Sequence, residues 1–229
     1  MFEILFIDLD DTILDFKAQE DAAIVKTLTA AGIEPTEEIC ARYSQINKEH
    51  WARMEKGEID RQQVLFGRFQ VLFAELGIDG DWETAALAYM ENLSEGHYFL
   101  PGAEKALASL SKKYRLFITS NGTAKVQNKR LDSAGIRKYF EEIFISQDIG
   151  INKPDKGFFD YCFAHVPGFD PTKAMIVGDS PSSDITGGQN AGIATCWVNP
   201  HHKAGREDIR VDYEIEALSQ LEDLLEGLK

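Results

Sequence analysis

The chain has 229 residues, 44% of them hydrophobic and 27% charged, with a formal net charge of −14. That is enough for one large domain, or for a domain with a second one inserted, of ordinary soluble globular composition. So acidic a surface disfavours nucleic-acid polymers, and the three cysteines, Cys40, Cys162 and Cys196, lack the C-x-x-C spacing of a structural zinc site, which points to reduced thiols and a cytoplasmic location.

Ile4-Leu5-Phe6-Ile7 predicts a strand that stops against Asp8. The run is too short for a signal peptide or a membrane span. From Phe16 to about Gly96 no strand pattern occurs, and apolar residues recur at helical spacing: Ile39, Tyr43, Ile46 and Met54 in one stripe, Leu65, Phe69, Leu72, Phe73 and Leu76 in another. Breaks at 31–35, at Gly57 and at 77–80 divide this stretch into four helices. After Pro101-Gly102, helix and strand alternate. Helices are expected at 103–113, 123–134, 158–165, 183–191 and 218–228, and strands at 115–119, 142–145, 174–177, 194–198 and 213–215. The alternation predicts an α/β fold with a doubly wound, mostly parallel sheet. Residues 1–15 and 97–229 form this core, and 16–96 are an inserted all-helical domain.

Four short patches follow strand-like runs: Asp8-Leu9-Asp10-Asp11-Thr12, Thr119-Ser120-Asn121-Gly122, Asn152-Lys153-Pro154 and the stretch from Gly178 to Asp184. Loops after parallel strands share one edge of the sheet, so the four should converge. Asp8 ends a buried strand, where an unpaired carboxylate is costly and a cation would remove the cost. Asp8 and Asp10 could divide nucleophilic and proton-transfer work, or could simply form a turn. Ser120 at a helix start suits a phosphate cradle or a plain cap. Lys153 could neutralise a phosphate, or could be a surface loop lysine. Asp179 and Asp184 are hard oxygen ligands of the kind Mg²⁺ takes, and Ser182 or Ser183 could cap the helix that follows. Residues 112–138 carry eight basic side chains against Asp132 alone, as a solvated helix face or as a local positive field near the second patch.

The order D-x-D-x-T, S-N-G, K-P and G-D-S-x-x-x-D resembles the haloacid dehalogenase superfamily of phosphohydrolases, and the insertion resembles its helical cap. The resemblance implies that Asp8 is the nucleophile, forming an aspartyl-phosphate, and that Asp10 is the general acid and base. Ser120, Asn121 and Lys153 would hold the phosphate. Asp179 would bind Mg²⁺ with Asp8 and the backbone carbonyl of Asp10, and Asp184 would support the metal directly or through water. Asn121-Gly122, Gln127, Arg130-Leu131, Lys153-Pro154-Asp155, Gly187-Gly188 and Cys196-Trp197-Val198-Asn199 further resemble the bacterial pyrimidine 5′-nucleotidase subgroup. That implies a small phosphorylated metabolite as partner, a nucleoside 5′-monophosphate foremost. Sugar phosphates, phosphoglycolate and a β-phosphomutase reaction are the alternatives within the superfamily. A dehalogenase would need neither Asp10 nor Asp179. A receiver-type signalling module would be about half this size and would not explain the insertion or the 178–184 patch.

Overall fold

The computed structural model describes residues 1–228. The chain divides into two compact units, Lys17–Gly96 and a second made of Met1–Phe16 with everything from His97 onward.

The discontinuous unit opens with β1 (Ile4–Ile7), buried at every position. The chain then enters α1 (Phe16–Ala30), and the helical unit continues through α2 (Glu37–Glu55), α3 (Arg61–Glu75) and α4 (Trp82–Ser94). The side chains of Thr36, Asp60 and Asp81 accept hydrogen bonds from the first-turn N–H groups of α2, α3 and α4, so each of these helices starts where an oxygen can satisfy an orphan donor. Beyond the helical unit come α5 (Ala103–Leu110), β2 (Arg115–Ser120), α6 (Ala124–Ala134), β3 (Glu142–Ile145), α7 (Ser146–Ile149), α8 (Lys156–Ala164), β4 (Ala174–Gly178), α9 (Thr186–Ala191), β5 (Ala194–Val198), β6 (Tyr213–Ile215) and α10 (Leu221–Gly227).

The six strands form one sheet in the order β3-β2-β1-β4-β5-β6, and every neighbouring pair is parallel. The sheet grows outward from β1 in one direction and from β4 in the other. The switch point therefore lies between the loops that follow β1 and β4. Along β1 the side chains alternate between two cores, as a pleated strand covered on both faces requires. Leu5 and Ile7 pack with Leu107, Leu110, Leu131 and Leu221, whereas Ile4 and Phe6 pack with Phe117, Phe158, Phe159 and Ile176.

Two local differences from the sequence pattern stand out. The four-residue helix α7 is too short to leave a periodic signal. The helix expected from Ser183 is preceded by a wider π-type turn, Pro181–Ile185, and the residue that caps it is Ser180, which accepts from Ser183 N, rather than Ser182 or Ser183. Several of the basic side chains at 112–138 form ion pairs: Lys113 with Glu222 and Glu226, Arg115 with Glu141, Arg137 with Asp132, and Arg130 with Asp10.

Within the helical unit, the rings of Tyr43, Phe69 and Tyr89 pack with centroids 5.0 to 5.5 Å apart. Arg68 lies buried 4.8 Å from the Tyr89 ring and donates to Asn47 Oδ1, while Asn47 in turn donates to Glu20. Phe66 and Trp82 are only half-buried and line a cleft of about 410 Å³ with His50 and Gln70. No helix among the described residues is long and apolar enough to cross a membrane.

Helix α9 approaches the sheet so closely that a Cβ at Gly188 would lie 2.3 Å from Ile176 Cγ2 and 2.8 Å from Thr195 Cγ2. Gly188→Ala should therefore cost about 1–3 kcal/mol through overpacking, read as a lower urea midpoint at unchanged slope.

Candidate active site

The N–H of Asp8 donates to Val177 O at 2.9 Å, so the strand pairing of β1 with β4 continues one residue past β1 and fixes Asp8 at the switch point. The chain then turns back on itself. Ile13 and Leu14 both donate to Leu9 O, Asp11 takes a left-handed φ of 55°, and its carboxylate accepts from Phe16 N. Aspartate tolerates that conformation better than most side chains, and the bond to Phe16 holds it there.

Lys153 is 1% exposed. Its ammonium donates to Asp8 Oδ1 at 2.7 Å, Asp184 Oδ1 at 2.6 Å and Thr119 O at 2.8 Å, so all three of its protons have acceptors. The loop that carries it is clamped by Asn121, whose side chain accepts from Lys153 N and donates to Lys153 O, both at 2.9 Å. The peptide between Lys153 and Pro154 is cis. Asp184 also accepts from Ser180 N through its second oxygen, and a Cβ at Gly178 would fall 2.2 Å from that carboxylate. Glycine is required at 178 because the Asp184 side chain passes over it.

Carboxylate oxygens of Asp8, Asp179 and Asp184 lie within 4.8 Å of one another. Trp197 Nε1 donates to Asp179 O at 2.9 Å and anchors the backbone there. Burial, followed by the fields of Asp184 and Asp10, pushes the Asp8 carboxyl up to about 8 despite the opposing pull of Lys153. Burial and then Asp8 push Asp179 well above the usual carboxylate range. Burial disfavours charge on Lys153, but Asp184 and Asp8 outweigh it and raise its pKa. One ammonium thus faces three crowded carboxylates. That imbalance suits a divalent cation held by hard oxygens, and these residues fit one.

The sequence-predicted residues Asp8, Lys153, Asp179 and Asp184 thus meet at one point. Ser120 ends β2 beside them, in register with Ile145 of β3. Asp10 is directed elsewhere: its two carboxylate oxygens accept from Arg130 Nη1 and from Gln127 Nε2 on α6. Its side chain is thus outside the three-carboxylate cluster, which leaves its expected part in the metal site to the backbone carbonyl. Asn121, expected to bind phosphate, commits its side-chain amide to Lys153 and Ser183. Gln127 and Arg130 stood out in the sequence only as points of resemblance. A sharper signal was present, since both fall on the buried stripe of α6 beside Val126 and Leu131.

The model of the haloacid dehalogenase-like hydrolase family matches residues 4–198. Over 98% of this chain and 95% of its own length, YfnB of Bacillus subtilis is 38% identical. The pyrimidine 5′-nucleotidases PynA of Streptococcus pneumoniae and YjjG of Escherichia coli are 34% and 32% identical, covering 98% and 96% of this chain and 95% and 96% of their own. A crystal structure of YfnB bound to magnesium superposes with a TM-score of 0.94 over 98% of both chains. The chain belongs to the haloacid dehalogenase-like hydrolase family.

The raised Asp8 and Asp179 carboxyls hold protons in the folded state that the unfolded chain releases above about pH 4. Their contribution to stability is full at low pH and is lost as pH rises through the folded-state values. With a chelator present, Asp179→Asn should therefore gain stability relative to the wild type as pH rises above about 4, read from melting transitions compared across pH. A wild type that gains on the variant over that range in chelator would contradict the charge balance described above.

Proposed function

We propose that this hydrolase is a Mg²⁺-dependent phosphomonoesterase working through an aspartyl-phosphate on Asp8, with nucleoside 5′-monophosphates, pyrimidine ones foremost, as substrates. The observation that carries the reading is the seating of the Asp8 carboxylate at the switch point, bonded to the Lys153 ammonium and grouped with Asp179 and Asp184.

Asp8, Asp179 and Asp184, with the Asp10 backbone carbonyl, would hold Mg²⁺, which when bound offsets the repulsion between these carboxylates and a phosphate dianion. The chain's own groups carry the remaining work. An Asp8 oxygen attacks phosphorus while Asp10 gives a proton to the departing alkoxide. Asp10 then takes a proton from the water that attacks the phosphorus of the aspartyl-phosphate, and inorganic phosphate leaves. The Ser120 hydroxyl donates to a phosphate oxygen. Lys153 keeps the nucleophile in place and reaches the phosphate only by exchanging one of its three present acceptors. Asn121 supports the site by holding Lys153. The unit at 17–96 acts as the substrate-selecting cap.

The substrate reading draws on the two nucleotidases PynA and YjjG. Activity should disappear with excess chelator and return with Mg²⁺. Asp8→Asn should abolish turnover, by at least about 10³-fold, with the melting transition retained. In a kcat/KM comparison of deoxyuridine and thymidine 5′-monophosphates with phosphoglycolate and a hexose phosphate, the nucleotides should lead. A tenfold lead for the hexose phosphate or phosphoglycolate would overturn the nucleotidase assignment and leave the phosphatase one.

A further inference from the structure

Gln127 is 2% exposed and Arg130 is fully buried, both on the face of α6 turned toward the β1 loop. Every polar atom of the Gln127 amide is engaged. Nε2 donates to Asp10 Oδ2 at 2.6 Å and to Ser120 Oγ at 2.9 Å, and Oε1 accepts from Arg130 Nη1 at 2.9 Å. Asp10 offers only acceptors when ionised, which fixes the amide with its nitrogen toward Asp10 and its oxygen toward Arg130. Arg130 Nη1 completes the ring on Asp10 Oδ1.

Ser120 Oγ also accepts from Gly122 N at 3.1 Å. With both lone pairs taken, its own proton is left to donate outward. Gly122 makes room for this arrangement, since a Cβ there would lie 2.4 Å from Gln127 Nε2. Arg130 is an expensive residue to bury for stability alone. Its Nε and Nη2 find no hydrogen-bond partner among the described residues, and the Phe16 ring lies 5.8 Å away on one side.

We propose that Gln127, backed by Arg130, is a positioning residue that sets two functional groups at once: it orients the Asp10 carboxylate toward the departing oxygen and aims the Ser120 hydroxyl at phosphate. The assignment rests on the phosphatase reading above. It predicts that loss of Gln127 hurts most where a proton must be delivered. An alkoxide leaving group needs that proton, whereas p-nitrophenolate leaves almost without it.

The test measures kcat/KM in Mg²⁺ for a nucleoside 5′-monophosphate and for p-nitrophenyl phosphate, with wild type, Gln127→Leu, Arg130→Met, Asp10→Asn and the Gln127→Leu/Asp10→Asn double variant. Gln127→Leu and Arg130→Met should each lose at least about 30-fold on the nucleotide but less than about 5-fold on the aryl ester, within the range of a general-acid contribution. In the Asp10→Asn background, Gln127→Leu should lose no more on the nucleotide than the less than about 5-fold it loses on the aryl ester, because only the part of its effect that passes through Ser120 remains. Gln127→Leu and Ser120→Ala should each weaken inhibition by inorganic phosphate, and together no more than either alone. If Gln127→Leu does not melt cooperatively, Gln127→Asn, which keeps the amide and shortens its reach, is read on the same ratio. Equal losses on both esters, or additive losses with Asp10→Asn, overturn the proposal. A wild type that hydrolyses neither ester overturns the phosphatase reading and this proposal with it.

Discussion

A lysine buried among carboxylates governs the arrangement at the switch point. The Lys153 ammonium joins the first strand, the second strand and the turn after the fourth through Asp8, Thr119 and Asp184. Such a cation could not remain charged in that interior without close anionic partners, and those partners could not remain crowded without it. Removing either side would leave an uncompensated buried charge, a loss of about 3–5 kcal/mol in comparable cases. The pairing is incomplete: the Asp179 carboxylate joins the cluster, and the field of Lys153 that favours its charge is outweighed by burial and by the neighbouring aspartates. The same shortfall that destabilises the bare site prepares it for a divalent cation.

The surrounding structure serves this cluster through close backbone approach. Gly178 lets the Asp184 side chain pass over the end of β4, and Gly188 lets α9 sit against Ile176 and Thr195. Asn121 behaves like a peptide group, pairing with both the N–H and the C=O of Lys153 and fixing a loop from a distant part of the sequence. On the other side of the β1 loop, Gln127 and Arg130 hold Asp10 away from the three-carboxylate group. Asp8 and Asp10, separated in the sequence only by Leu9, therefore sit in different electrostatic settings. On the mechanism proposed above, that separation would let one act as a nucleophile and the other move protons.

Much of this was legible in the sequence because strands that are buried on both faces read as unbroken apolar runs, and the runs of β1, β2 and β4 lead straight into polar motifs. The six strands, the four inserted helices and the meeting of Asp8, Lys153, Asp179 and Asp184 follow from that pattern. Where it failed, the cause was local geometry that carries no periodicity. The cap on Ser180 comes from a π-type turn, which shifts the register of capping by two or three residues. The engagement of Asn121 with Lys153, 32 positions away, depends on tertiary contact alone. Gln127 and Arg130 were visible as polar residues at i and i+3 on an otherwise apolar helix face, but their partner Asp10 is more than a hundred residues earlier. In the basic stretch, Lys113, Arg115 and Arg130 are answered by carboxylates that the linear sequence places elsewhere, which no local reading of charge could show.

The central claim is that Asp8 becomes covalently phosphorylated. The Asp10→Asn variant, impaired in activating water for the second step, should accumulate that species during a single turnover of p-nitrophenyl phosphate in Mg²⁺, since that leaving group departs almost without the Asp10 proton. Borohydride reduces an acyl phosphate to the alcohol, so quenching into borohydride, digestion and mass spectrometry would show homoserine in place of Asp8. Homoserine at residue 8, formed only with substrate present, is the predicted result. Turnover without reduction at residue 8, or with reduction at another carboxylate, would contradict the account.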